Sequence, residues 1–127
     1  MRERTRSERV LVDLMLRKAE AAAGYTATSK TRYDAPNLEG GHLRDGLWRH
    51  VLQFLESGTK LGQSFRGRNA RIDWDLILQL RQEMVHDYPE IAPDRVWAFA
   101  TEEMPRMARL LRRAKMSPPS GRGPDQG

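Results

Sequence analysis

The chain has 127 residues, no cysteine and a net charge of +5. This length suits one domain, and the lack of cysteine excludes a disulfide framework, thiolate catalysis and cysteine-ligated zinc. No stretch approaches the roughly 20 consecutive apolar residues of a membrane span, and the amino terminus is charged rather than apolar. We therefore expect a soluble cytoplasmic protein without a membrane partner. The positive charge, mostly arginine, is compatible with an RNA or DNA partner, but an ordinary basic surface explains it equally well.

The first part of the chain has helical rather than strand periodicity. The first helix is predicted over residues 7–23, with a capping box formed by Thr5 and Glu8 and a stop at Gly24. Its apolar stripe is predicted to be Val10, Leu11, Leu14 and Met15. Residues 25–41 are rich in turn-forming residues and predict a long loop, with room for one short helix.

The second helix is predicted over residues 42–65, where apolar residues follow helical spacing. These residues are Leu43, Leu47, Val51, Phe54, Leu55 and Leu61. Within this helix, Ser57 and Gly58 either allow another helix to approach closely or are a tolerated weak point costing about 1 kcal/mol. We favour the close approach. Residues 65–71, FRGRNAR, are predicted to be a basic connector.

The third helix should begin after Asp73, a good N-cap residue, and end near Tyr88, because Pro89 disfavours helix in the residue before it. Pro93 suits the first turn of a fourth helix, whereas Pro105 should kink or split that helix. The buried residues predicted for the fourth helix are Val96, Phe99, Ala100, Met107, Leu110 and Leu111.

Every predicted element is therefore a helix. Residues 116–127, MSPPSGRGPDQG, have almost no apolar side chains and predict a disordered tail. We predict an all-α domain over residues 1–115, built as a bundle of four to five helices.

The three histidines are the first candidates for metal binding or acid–base catalysis: His42, His50 and His86. His42 and His50 lie eight residues apart with no carboxylate-rich motif beside them, which argues against a metal site. No glycine-rich phosphate loop joins a strand to a helix. We expect no bound metal or other cofactor.

Arg81, His86 and Tyr88 occur together in the string LRQEMVHDYPE. RNA can be cleaved without a metal, because its own 2′-hydroxyl serves as the nucleophile. That reaction needs an acid–base group that titrates near neutrality, which histidine provides, and a positive charge beside the phosphoryl oxygens, which arginine provides. The tyrosine hydroxyl can orient the phosphate or accept a modification. A surface arginine, a histidine at a helix end and a core tyrosine would, however, give the same composition.

The stretch over residues 72–111 resembles the carboxy-terminal half of the HepT-like family of HEPN toxins. That family has an Arg-x4-His-x-Tyr motif, which Arg81, His86 and Tyr88 match. The segment DGLWRHVLQFLESGTKL resembles the family's second helix without a gap, so that the resemblance covers residues 42–113. Further positions that fit the family pattern are Arg49, Glu56, Trp74, Asp87, Val96, Trp97 and Pro105.

Two positions depart from that pattern. Gln82 follows the motif arginine, where the family usually has asparagine, so the amide is kept on a longer arm. Leu55, Glu56 and Ser57 stand where the family's second helix usually reads Gly-Glu-Ala. The Arg-His pair itself is unchanged.

Helix geometry separates the motif residues. Arg81 and Tyr88 are seven residues apart and lie on nearly one stripe, whereas His86 lies roughly 140° from Arg81 around a straight helix. Either the last turn loosens before Pro89, or the site is completed across a dimer. The family is dimeric, with paired motifs near the interface, so the resemblance favours a homodimer.

The resemblance implies a metal-independent endoribonuclease toxin, in which His86 acts as the general acid or base and Arg81 holds the phosphate. It also implies an antitoxin, a small nucleotidyltransferase that binds the toxin, in a complex that can be larger than a dimer, and adenylylates Tyr88. An adenylate there would place negative charge beside Arg81 and block an RNA phosphate. Basic residues that flank the site are further candidates for binding RNA phosphates, namely Arg49, Lys60, Arg66 and Arg68.

Two other functions are compatible with the sequence. A catalytically silent HEPN subunit would bind nucleotide or RNA and pair with a nucleotidyltransferase without cleaving anything, and Gln82 keeps this alternative open. A helical protein-interaction module would need only the amphipathic helices. Comparing the nuclease activity of the wild type with that of His86→Ala separates the first function from both alternatives.

Overall fold

The computed structural model describes residues 2–87 and 91–116, with side chains over residues 7–87 and 91–115. The helices are α1 (Arg2–Thr26), α2 (Lys30–Asp34), α3 (Leu38–Thr59), α4 (Gln63–Arg68), α5 (Trp74–His86), α6 (Pro93–Ala98) and α7 (Met104–Met116). A π-helical segment, Phe99–Glu103, joins α6 to α7. The predicted all-α fold is confirmed, and these two ranges contain no strand. The predicted tail lies outside the described residues except for Met116, the last residue of α7.

The amino-terminal end of α1 differs from the prediction. The helix begins at Arg2, so Thr5 lies inside it and the capping box with Glu8 is wrong. Arginine and glutamate are good helix formers, which lets the helix extend through this charged stretch. The predicted stripe is shifted too, because Val10 is 52% exposed. The buried apolar residues of α1 are Val12, Met15, Ala19 and Ala22, and this set faces α3 and α7.

The carboxy-terminal end of α1 passes through the predicted stop at Gly24 and reaches Thr26. Tyr25 packs on α3, where a Cβ added to Gly46 would lie 2.3 Å from the Tyr25 hydroxyl oxygen. The ring centroids of Tyr25 and His50 are 5.4 Å apart. This tertiary contact holds the last turn in place and outweighs the low helix propensity of glycine.

The predicted loop over residues 25–41 contains α2 and the first turn of α3. Ser29 caps α2 with its side chain, and Asn37 caps α3 by accepting a hydrogen bond of 2.8 Å from the Gly40 amide. Gly40 is buried at a close chain contact, because a Cβ there would lie 2.1 Å from the carbonyl oxygen of Ala35. The α3 helix therefore starts at Leu38, four residues earlier than predicted, and the glycine in its first turn leaves room for the Ala35 carbonyl.

The predicted second helix is split into two. After α3 ends, Gly62 forms the N-cap of α4, which occupies part of the predicted basic connector. The close approach predicted at Gly58 is confirmed, since a Cβ there would lie 3.1 Å from Met15 Cε and 3.2 Å from Ile77 Cγ2. Side chains of α1 and α5 thus reach the α3 backbone at this point.

The remaining boundaries follow the prediction more closely. Asp73 caps α5 by accepting a hydrogen bond from a backbone amide at 3.0 Å, and Pro93 lies in the first turn of α6. The expected interruption at Pro105 takes the form of the π-helical segment, in which the Met104 amide donates to the Phe99 carbonyl five residues back. This wider turn accommodates a proline that has no amide hydrogen to donate.

The core surrounds α3, which packs against α1, α2, α5 and α6. Most of the predicted buried residues of the second and fourth helices are buried, while Leu43 and Leu110 are only partly so. The largest fully buried side chains are Tyr33, Phe54, Met15, Leu47, Leu55, Leu61, Ile77, Leu80, Met84, Met104, Met107 and Leu111. Among the described helices, none has both the length and the apolar content needed to cross a membrane.

Candidate active site

Two antiparallel helices, α3 and α5, position the central residue of the predicted site. They contact each other where Gly58 meets Ile77. About one turn further along α5, Arg81 Nη2 lies 4.0 Å from Glu56 Oε2 of α3. Residue numbers fall along α3 as they rise along α5, so the two helices run in opposite directions. Arg81 therefore lies about one turn of α5 beyond the close contact at Gly58.

The guanidinium group of Arg81 is only weakly paired within the described part of the chain. Its side chain is 36% exposed and that of Glu56 is 41% exposed, and their separation is at the limit of an ion pair. The Arg81 Nε atom is buried and has no hydrogen-bond partner within the described part of the chain. Because Nε is enclosed, a phosphate oxygen can be reached only by the exposed part of the guanidinium group, whose planar fork matches the geometry of a phosphate.

His86 is the last residue of α5 and is exposed. The next amide, that of Asp87, donates to the Glu83 carbonyl at 2.7 Å, which is the regular α-helical pattern. The helix therefore does not loosen up to this residue, and His86 stays roughly 140° from Arg81 around α5. A single copy of the chain does not bring these two residues onto one face. Tyr88 lies outside the described residues.

An exposed surface of α5 separates Arg81 from His86. By helical position, Val85, Leu78 and Gln82 lie between them around the helix. Leu78 is 39% exposed and Val85 is 41% exposed, so this surface carries two large apolar side chains. Gln82, where the family usually has asparagine, is exposed on the same surface.

Comparison with known proteins identifies the family. The sequence model described as "Ribonuclease HepT-like" matches residues 15–114 of the chain. The chain belongs to this family. No curated protein and no solved structure gives a significant match. The match supports ribonuclease activity at the level of the family, and it covers α3, α5 and the site between them.

The four basic residues that we predicted to bind RNA differ in their surroundings in this HepT-like chain. Arg66 Nε donates to the Leu61 carbonyl at 2.9 Å, just beyond the end of α3, and its Nη2 donates to the carbonyl of Thr59, the last residue of α3, at 3.5 Å. Arg68 donates to Ser64 Oγ at 2.6 Å and pairs with Glu8 of α1 at 3.1 Å. Arg49 and Lys60 are exposed residues of α3 and its C-cap. By helical position they lie on the same side of α3 as Glu56.

The other two histidines occupy different environments in this HepT-like domain. Burial lowers the pKa of His50, and the charges of Arg49 and Lys18 lower it further. The His50 Nδ1 atom is buried without a hydrogen-bond partner in the described ranges. His42 is exposed at the start of α3. Among the residues described, no three His, Asp or Glu side chains are grouped so that they could hold a metal ion.

Sequence reasoning did not identify the contact between Glu56 and Arg81. Glu56 was recognised only as a residue that fits the family pattern. The two residues are 25 positions apart and lie on different helices, so no local spacing relates them. Hydrophobic periodicity predicts both helices but not which of their polar residues meet.

Proposed function

We propose that this HepT-like chain is an endoribonuclease toxin that cleaves cytoplasmic RNA without a metal. The observation that carries the proposal is the position of Arg81, whose guanidinium group is partly exposed, lies 4.0 Å from Glu56 and can therefore accept a phosphate as a partner. In the reaction, the RNA 2′-oxygen loses its proton and attacks the neighbouring phosphorus. The bond to the 5′-oxygen breaks, and that oxygen takes up a proton. His86 transfers one of these protons, and Arg81 stabilises the charge on the phosphoryl oxygens.

The second part of the proposal is that two copies complete the site. Leu78 and Val85 form an exposed apolar pair between Arg81 and His86. Packing this surface against its own copy about a two-fold axis would bury both residues and bring the motif residues of the two subunits to one interface. Leu78→Glu should therefore lower the mass measured by light scattering and reduce cleavage. Wild-type protein that is monomeric at micromolar concentration and still cleaves RNA would contradict this part.

The central test compares two histidine variants in an RNA cleavage assay. His86→Ala should lose about 10²–10⁴-fold in rate, because a positioned acid–base group is gone. His42→Ala is the matched control, an exposed histidine on another helix, and should cleave like the wild type. Undiminished cleavage by His86→Ala would remove the catalytic assignment. If the wild type binds RNA but does not cleave it, the chain is a catalytically silent subunit, the alternative that Gln82 in place of the family's asparagine keeps open.

We further propose that a nucleotidyltransferase antitoxin inactivates the toxin by adenylylating Tyr88. After incubation with this antitoxin and ATP, the intact mass of the wild type should increase by one or more adenylates, and cleavage should stop. Tyr88→Phe keeps the ring and should retain part of the activity without gaining mass. His86→Ala is a useful control, because it should gain mass although it is inactive. Adenylate on the Tyr88→Phe protein would move the modification to another residue.

We propose that all four predicted basic residues bind RNA phosphates. Two of them, Arg66 and Arg68, also make structural contacts, so the test uses the other two. Removing Arg66 or Arg68 also removes hydrogen bonds and an ion pair that hold α4 in place. The Arg49→Gln, Lys60→Gln double variant avoids this, because both residues are exposed. It should bind RNA more weakly and with a shallower salt dependence, by roughly one unit of slope for each phosphate that is no longer neutralised. An unchanged slope would place RNA binding elsewhere.

A further inference from the structure

The helix α7 presents a basic surface on a part of the domain that the candidate active site does not use. The helix has five basic residues and no acidic one. It packs mainly against α1 and the π-helical segment, whereas Arg81 and Glu56 meet between α5 and α3. The cations of α7 therefore belong to a separate surface.

The apolar side of α7 is already used by the fold. Met104, Met107, Ala108 and Leu111 are buried in the core. Apart from Pro105, all the exposed residues of α7 with a described side chain are basic. The helix therefore has no exposed apolar face for a lipid bilayer, and it lacks the aromatic residues that are typical of protein–protein interfaces.

Two cations of α7 are held by carboxylates. Lys115 Nζ lies 2.6 Å from Asp13 Oδ1 and links α7 to α1. Arg106 pairs with Glu103 and lies about 120° from Arg112 around α7. Neither Lys115 nor Arg106 is therefore free to bind an anion with its full charge.

Other arginines of α1 and α7 have no such partner. Arg17 of α1 and Arg109 and Arg112 of α7 are exposed, and no carboxylate lies within ion-pair distance of them in the described part of the chain. These three residues form the outer arginine surface. Arg109 and Arg112 are three residues apart on one helix, where like charges repel each other. An anion that contacts both would remove this repulsion.

A polar cleft of about 340 Å³ between α1 and α7 connects this surface. Its lining residues are Asp13, Leu16, Arg17, Glu20, Arg112 and Lys115. Arg17 and Arg112 thus reach one cleft from two different helices, and their planar guanidinium groups match the geometry of a phosphate. The Glu20 carboxylate opposes the binding of an anion there, so its removal should act in the opposite direction from the loss of an arginine.

We propose that the outer arginine surface binds the phosphate backbone of the RNA substrate, away from the cleavage site. The inference rests on the proposed ribonuclease function and adds that the substrate is an RNA strand long enough to contact both places. Arg109 and Arg112 are about 4.5 Å apart along the axis of α7, so their long side chains can contact successive phosphates of one strand. Because phosphate contacts position a nucleic acid without reading its sequence, the surface should increase the affinity for long RNA of any sequence.

The test measures binding of two uncleavable probes to the full chain over a range of salt concentrations. One is a long single-stranded 2′-O-methyl RNA, and the other is a 2′-O-methyl dinucleotide, which the wild type should bind much more weakly and with a smaller salt dependence. The Arg109→Gln, Arg112→Gln double variant should bind the long probe about tenfold more weakly than the wild type. Its slope of log affinity against log salt should fall by about 0.7 for each phosphate contact that is lost.

Two further variants separate a local site from a general effect of charge. The Arg32→Gln, Arg95→Gln double variant also removes two positive charges, but from arginines that pair with carboxylates elsewhere on the surface. It should leave the affinity for the long probe nearly unchanged. Glu20→Gln should tighten binding of the long probe, because it removes a carboxylate from the cleft. Equal losses of affinity in the two double variants would show an effect of net charge alone and overturn the proposal.

Cleavage of a long RNA gives a second readout. The Arg109→Gln, Arg112→Gln variant should raise KM more than it lowers kcat, because the contacts that it loses are the same in the ground state and in the transition state. His86→Ala, in contrast, should lower kcat. A double variant that lowers kcat and leaves KM unchanged would contradict a role in binding the substrate.

Failure of this inference can be distinguished from failure of the proposed function. Binding of the long probe that depends on Arg109 and Arg112, without any cleavage, would support the surface and reject the nuclease. Cleavage that depends on His86, with wild-type affinity and salt slope in the double variant, would support the nuclease and reject the surface. If the double variant binds the long probe like the wild type but no longer forms the complex with the antitoxin in light scattering, a protein partner occupies the surface and the proposal is wrong.

Discussion

The same two helices are closely packed at one end and separated at the other. At Gly58 of α3, Ile77 Cγ2 lies 3.2 Å from the position that a Cβ on Gly58 would occupy. Where Trp48 lies on α3, the helices border a groove of about 640 Å³. The size of the α3 residue differs between the two ends, and Arg81 lies between them. We therefore expect the closed end to contribute mainly to stability and Arg81 to contribute mainly to activity.

Changing Arg81 should give the largest effect and should affect activity alone. Arg81→Ala should lower the cleavage rate about 10²–10³-fold, as loss of a group that stabilises transition-state charge typically does. Arg81→Lys should recover part of that loss, because it keeps the charge but not the planar fork. Thermal denaturation should be nearly unchanged for both, since the arginine is half-exposed and only weakly paired.

The matched control for Arg81 is Arg95→Ala. Like Arg81, Arg95 has a partly exposed side chain that pairs with a carboxylate, here that of Glu83 at 2.8 Å. Its removal should leave the cleavage rate within a few-fold of wild type. A large loss of activity in Arg95→Ala, or a large loss of stability in Arg81→Ala, would break the distinction between the two ends.

A substitution at Gly58 tests whether the closely packed end of α3 and α5 contributes to stability. Gly58→Val should lower the free energy of unfolding by about 1–3 kcal/mol, because its side chain would collide with Met15 and Ile77. Gly24→Ala is the control in a helix interior where the added Cβ meets nothing within 4 Å. It should raise stability by roughly 0.5–1 kcal/mol. Urea denaturation measures both changes, and a Gly58→Val protein as stable as wild type would show that α3 and α5 can move apart there.

Local signals in the sequence predicted part of the fold well. Asp73 and Pro93 mark helix starts because capping and a fixed φ act within one turn. Gly58 was recognised as a contact because a small residue interrupted an apolar stripe. Gly24 was misleading for the opposite reason, because a contact between helices, Tyr25 packing on Gly46, extends α1 beyond it.

The candidate site also combines features that local sequence signals predict with features that depend on contacts between helices. Arg81 and His86 follow from a local motif, and their angular separation follows from helix geometry. The groove could not be predicted, because its residues come from four helices between Tyr33 and Val96 and from Ile91, which precedes α6. Which side chains meet there depends on how the helices cross, and periodicity alone does not determine that.

Glu56 lies between the two ends, and its removal should give the smallest effect. Glu56→Gln keeps the shape of the side chain and removes its charge. Because the pair is 4.0 Å apart and more than a third exposed on both sides, stability should change by about 1 kcal/mol or less. RNA binding should become tighter by about fivefold or less, the equivalent of that energy, since a phosphate no longer competes with a carboxylate for Arg81.

Glu103→Gln, which breaks the pair with Arg106 on another part of the surface, should leave RNA affinity unchanged. If Glu56→Gln instead weakens RNA binding and slows cleavage, Glu56 positions the guanidinium of Arg81 rather than competing for it, and the open end of the groove depends on this ion pair for its geometry.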